Sequence, residues 1–99
     1  MPKFVVRVTI HDGREQDYQR LHEALEAIGC LRRIMSSDGR WYQLPDATYV
    51  YGPSTPTNVG SVRDRVAPVV KRTVPRTTAP EVFVAEYSSS AWSGLTLVK

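Results

Sequence analysis

Residues 3–11, KFVVRVTIH, alternate. Phe4, Val6, Val8 and Ile10 fall on one face, and Lys3, Val5, Arg7, Thr9 and His11 on the other, the period of a half-buried strand. The second face is mixed rather than polar, which suits a sheet covered by helices on one side and partly used on the other. The period then lengthens. Tyr18, Leu21, Leu25 and Ile28 recur at helical spacing, with Ala24 and Ala27 beside them, and Glu15, Asp17, Arg20, Glu23 and Glu26 fall mostly opposite. That is an amphipathic helix. Asp12 and Glu15 have the spacing of a capping box, and Gly29 is a natural stop.

Residues 30–36 read as a short strand, Ser37-Asp38-Gly39 as a hairpin turn and 40–52 as the returning strand. Pro45 lacks a donor N–H, so it marks an edge, a bulge or a break. A loop over 53–56 leads to Val59, Val62, Val66, Val69 and Val70 at helical spacing, with Thr57 or Asn58 as cap. Gly60 and the β-branched run weaken that helix, and Pro68 is expected to kink it or end it early. Residues 81–87 form a strand, 88–94 a turn, and LTLVK, 95–99, a last short strand. The order β-α-β-β-α-β predicts a ferredoxin-like α+β fold: one domain over 1–99, an antiparallel sheet with both helices on one face, and an extra C-terminal strand. Two open sheet edges suggest a homodimer in which the tail strand covers one of them.

Composition narrows the partners. No apolar run approaches the ~20 residues of a membrane span, so no membrane role is expected. The N-terminus opens directly on a strand pattern with no apolar signal core, which points to the cytoplasm. A lone cysteine, Cys30, forms no internal disulfide and no thiolate zinc cluster, and at an apolar position it reads as a buried hydrophobe. The net charge is +3, and ten of the thirteen basic residues are arginine. Arginine suits bidentate phosphate contacts and base stacking, and also protein hot spots.

Chemistry-bearing residues are few. His11 ends the first strand beside Asp12, and a His-Asp pair can move protons near neutral pH. Asp12 also has the simpler role of helix cap. His22 sits at the border of the helix's apolar face and reads as a boundary residue. There is no HxH, HExxH or acidic cluster at metal spacing, no phosphate-cradling glycine loop and no Gly-x-Ser-x-Gly, so no metal or other cofactor is implied. What remains is an aromatic and basic set: Arg7, Arg32, Arg33, Arg40 and Trp41, with Tyr42, Tyr49, Tyr51, Phe83 and Tyr87 also on strands. An open sheet presenting such residues can stack unpaired bases, although the aromatic RNP-type run of RNA-recognition domains is absent. The same face suits protein docking equally well.

Three stretches, MPKFVVRVTIHDG…DYQRLHEALEAIG, RIMSSDGRWYQLPDATYVY and VFVAEYSSSAWSGL, together resemble the GhoS-type (type V) antitoxin endoribonucleases. The resemblance rests on the Tyr18-x-x-Leu21 helix, the Ser37-Asp38-Gly39…Tyr42-x-Leu44-Pro45 hairpin and the Ala91-Trp92-x-Gly94-Leu95 tail. It implies a ferredoxin-like fold similar to the CRISPR adaptation nuclease, and a cytoplasmic protein that cuts the messenger of a membrane-active toxin. The acidic residue of that family's first strand aligns with Thr9, so no catalytic residue carries over. The first reading is therefore an antitoxin endoribonuclease or RNA-binding regulator. Its RNA surface is Arg7, Arg32, Arg33, Arg40 and Trp41, and His11 and Asp12 are its acid–base pair for a metal-independent cut. The alternative is a non-enzymatic protein-binding module of a phage or mobile element, an inhibitor or counter-defence protein. Whether the chain is an enzyme stays open at this point.

Overall fold

The structure, a computed structural model, describes residues 2–11, 13–75 and 79–98. Its elements are β1 (Lys3–Thr9), α1 (Glu15–Ala27), β2 (Arg33–Met35), β3 (Trp41–Gln43), β4 (Thr48–Tyr51), α2 (Val59–Thr73) and β5 (Glu81–Tyr87). This is the ferredoxin-like α+β order, with β3 and β4 together forming its third strand. β1 lies between β4 and β5, antiparallel to both, with Val6 opposite Tyr49 on one side and Val84 on the other. Leu31 bridges Val50, and β2 pairs with β3. Residues 31–35 therefore run along the bent third strand.

The alternation in β1 decides where the core sits. Phe4, Val6, Val8 and Ile10 pack with Leu21 and Leu25 of α1 and with Val62, Val66, Val69 and Val70 of α2, all buried. Both helices thus cover one face of the sheet, as the sequence predicts. Cys30 is buried in the same cluster, and that burial pushes its thiol up to about 11, so it is an inert hydrophobe at neutral pH.

Four boundaries differ from the sequence reading. Strand β1 ends at Thr9 rather than at residue 11. The helix α1 is capped by Arg14, not by Asp12, which lies outside the described residues. The Arg14 N–H donates to Asp17 Oδ2 at 2.9 Å, and Arg20 Nη2 donates to Asp17 Oδ1 at 3.0 Å. Arginine has no acceptor to return, so this is half a capping box, and Asp17 is buried at 3% exposure instead of facing solvent. Residues 40–52 do not form one strand. The chain breaks after Gln43, turns through Pro45 and Ala47, and re-enters the sheet at Thr48. Ala47 takes a left-handed φ of 57°, pinned by the Val8 N–H donating to its carbonyl at 3.1 Å. That conformation costs a non-glycine residue roughly 1–2 kcal/mol. Finally, of the two outcomes expected at Pro68, a kink or an early end, the early end does not occur: α2 continues to Thr73. Val69, Val70 and Val74, all buried, lie beyond the proline and hold the last turn against the core.

Other expectations agree. Asn58 caps α2, its side-chain oxygen accepting from the Ser61 N–H at 2.9 Å. Gly29, with φ of 96°, follows the end of α1 in the conformation that favours glycine. The tail adds to the sheet through a bridge between Leu97 and Tyr42. The Gln43 N–H donates to Thr96 O, and the Val98 N–H to Trp41 O, both at 2.9 Å. It covers the β3 edge of its own chain, and Trp92 leans on Tyr42 with ring centroids 5.8 Å apart. No helix among the described residues is long and apolar enough to cross a membrane.

Candidate nucleic-acid interface

The face of the sheet away from the helices is built by the odd positions of β1. Cross-strand register places Arg7 opposite Phe83 and Lys3 opposite Tyr87. Phe83 is 63% exposed, an unusual position for a phenylalanine on a strand. Lys3 Nζ lies 5.4 Å from the Tyr87 ring centroid. A third pair comes from the hairpin: Arg33 Cζ sits 4.8 Å from the ring centroid of Trp41. Lys3, Tyr87, Arg33, Trp41 and the exposed Met35 border one groove of about 260 Å³. This face therefore carries two cation–aromatic contacts, Lys3 over Tyr87 and Arg33 over Trp41, each a flat ring with an ammonium or guanidinium group beside it, and a third cation, Arg7, opposite the exposed Phe83 in register.

The three hairpin arginines have three different surroundings. Arg33 stacks on Trp41. Arg40 is tied into the turn, with its Nε 3.6 Å from Asp38 Oδ2. The turn is closed by the Ser36 hydroxyl donating to Asp38 and by the Gly39 N–H donating to Ser36 O at 3.0 Å. Arg32 borders α1 instead, in a second cleft of about 560 Å³ that also includes Glu15, Tyr18, His22 and Asp46. Of the expected acid–base pair, His11 is exposed at the end of β1, and its Nε2 is 3.2 Å from Glu81 Oε1. Asp12 lies outside the described residues. Glu81 is thus the carboxylate the structure brings to His11.

Sequence reasoning passed over His22. It is 9% exposed, and its Nδ1 lies 2.6 Å from the hydroxyl of the fully buried Tyr49. Burial, reinforced by the nearby Arg32 charge and opposed by Asp46, lowers its proton affinity below the ordinary imidazole range. Burial also holds the Tyr49 hydroxyl firmly protonated. A buried phenol must give its hydrogen to a partner, and Nδ1 is the partner present, so Tyr49 donates and His22 carries its own hydrogen on Nε2. No periodicity marks this pairing, because it joins a helix to a strand distant in sequence. Phe83 was legible only as one more strand aromatic, since its partner Arg7 follows from register.

The His22 environment sets a pH dependence. Unfolded, His22 titrates near 6.5; folded, it titrates lower. Between those values the unfolded chain binds the extra proton, so stability is complete above about 6.5 and falls as the pH drops toward the folded value. Denaturant unfolding at pH 7.5, 6 and 5 is expected to show a loss approaching ~1.4 kcal/mol per pH unit at most. His22→Phe should have a shallower slope than the wild type. Identical slopes in the two proteins would contradict this assignment.

No family model matches the chain, and no curated protein matches it significantly in sequence.

Proposed function

We propose that this protein is an RNA-binding regulator that holds single-stranded RNA on the open face of its sheet. The observation that carries this reading is the run of cations and rings along one face: Lys3 over Tyr87, Arg33 over Trp41, and Arg7 in register opposite the exposed Phe83. Unpaired RNA offers stackable bases and phosphates in alternation, and such a face presents rings and cations in the same alternation. A GhoS-like role, acting on the messenger of a toxin, is the biological setting the sequence resemblance implies.

Cleavage is the further step of that setting. A metal-independent cut uses the RNA 2′-hydroxyl as nucleophile. A base takes its proton, a cation steadies the charge on the pentavalent phosphate, and the 5′-oxygen leaves as the P–O5′ bond breaks, taking a proton from water. His11, oriented by Glu81 just beyond the end of β1, is the candidate base, and Arg7 on β1 is the candidate cation. The products would carry a 2′,3′-cyclic phosphate and a free 5′-hydroxyl.

The test is titration of a labelled single-stranded RNA at several salt concentrations. Arg7→Ala and Arg33→Ala should each weaken binding and flatten the salt dependence by ~0.7 units of slope per lost phosphate contact. Phe83→Ala and Trp41→Ala should each remove about 1–3 kcal/mol if a base stacks there. His11→Ala should abolish cleavage while leaving binding intact. Absence of RNA binding by the wild type rejects the reading and leaves this face to a protein partner.

A further inference from the structure

The cleft between α1 and the Pro45–Ala47 break holds a set of polar groups that the fold does not use. Among the described residues, the Arg32 side chain has neither a hydrogen bond nor an ion pair, and its Nε is fully buried without a partner. A buried donor left in that state has lost its hydration with nothing in the fold to replace it. Glu15 and Asp46 line the same cleft, and neither carboxylate comes within 4 Å of Arg32 or of any other cation among the described residues. His22 adds a donor, the Nε2 hydrogen that the Tyr49 bond fixes. Tyr18 supplies a flat wall. The chain reaches this arrangement through the left-handed Ala47, and backbone strain of that kind clusters at functional sites.

Charge balance narrows the occupant. Two cations, Arg7 and Arg32, face two carboxylates, Glu15 and Asp46. A free phosphate would gain little from such a cleft, because the carboxylates offset the arginines. A flat, neutral group carrying both acceptors and donors suits it better. Among the RNA bases, guanine alone offers two adjacent donors, N1–H and N2–H, to a carboxylate, together with O6 and N7 acceptors for a guanidinium. The cleft volume of about 560 Å³ lies in the range of small-molecule sites. Arg7 lines this cleft and is also the strand partner of Phe83, so an RNA on the open face has a continuous path into it.

We propose that this cleft is a guanine-selective pocket for an unstacked base of the bound RNA, with Asp46 accepting from N1–H and N2–H and Arg32 donating to O6 and N7. The inference rests on the RNA-binding reading above and gives that reading a sequence preference.

Calorimetric titration with GMP, IMP, AMP and CMP tests the pocket directly, because inosine differs from guanosine only in lacking the N2 amino group. The wild type should bind GMP at least about fivefold more tightly than the other three. Asp46→Asn, at an exposed position that leaves the fold intact, should erase the difference between GMP and IMP. A single-stranded RNA with its guanosines replaced by inosine should weaken in parallel for the wild type and not for Asp46→Asn. RNA binding that is indifferent to the replacement, with no preference among the mononucleotides, overturns the pocket and spares the RNA reading. GMP preference without binding of any RNA supports the pocket as a mononucleotide site and rejects the RNA reading. Binding of neither GMP nor RNA overturns both.

Discussion

Leu25→Ala is expected to lower the unfolding free energy by about 2–5 kcal/mol, the range for removing a leucine from a closed core. Leu25 is fully buried on the inner face of α1, in one cluster with the β1 residues Phe4, Val6 and Val8 and the α2 residues Val62 and Val66. Truncation removes apolar area and leaves a void that a three-way junction of two helices and a sheet cannot readily close. A domain of this size has roughly 5–15 kcal/mol in total, so the variant sits near the edge of folding. Glu26, the next residue, is exposed, and Glu26→Ala should change stability by no more than about 0.5 kcal/mol. Urea unfolding of both variants beside the wild type provides the measurement. A loss under about 1 kcal/mol for Leu25→Ala would mean that α1 does not pack as described.

The core was legible because each of its positions repeats a period. Phe4, Val6, Val8 and Ile10 announce a strand face, and Leu21, Leu25, Val62 and Val66 announce two helical stripes that need a common surface. The cap of α1 was not legible. Asp12 with Glu15 satisfies the spacing rule, but Arg14 with Asp17 satisfies half of it, and the helix starts at the later pair. The site was legible in kind and not in arrangement. Arg7, Arg33 and Trp41 could be named as surface chemistry from composition. That Arg33 stacks on Trp41 while Arg32, its neighbour, turns toward His22 depends on the bend at Arg32 and the break at Pro45, and neither has a periodic signature. His11 was noticed for the residue beside it in sequence, whereas its carboxylate partner Glu81 is distant in sequence and reaches it because β5 starts opposite Thr9 on the neighbouring strand.

Pro68→Ala should move stability the other way. Pro68 sits inside α2 at an exposed position, with helix continuing on both sides. It lacks the N–H that would donate to the carbonyl of Asp64, and its ring crowds that same carbonyl. Proline inside a helix costs about 3 kcal/mol relative to alanine. The unfolded state offsets part of this, since proline stiffens the unfolded chain by roughly 0.4–1 kcal/mol. The net gain for Pro68→Ala is therefore about 2 kcal/mol, if the wild-type helix carries the full penalty. The packing supports that condition, because the buried Val66, Val69 and Val70 flank the proline and fix the helix in place whether or not the bond is made. At about 4–8 °C per kcal/mol for a domain of this length, the melting temperature should rise by about 8–16 °C. Calorimetry of the single variant measures the shift. No rise, or a fall, would mean that the proline contributes to the packing of α2 rather than opposing it.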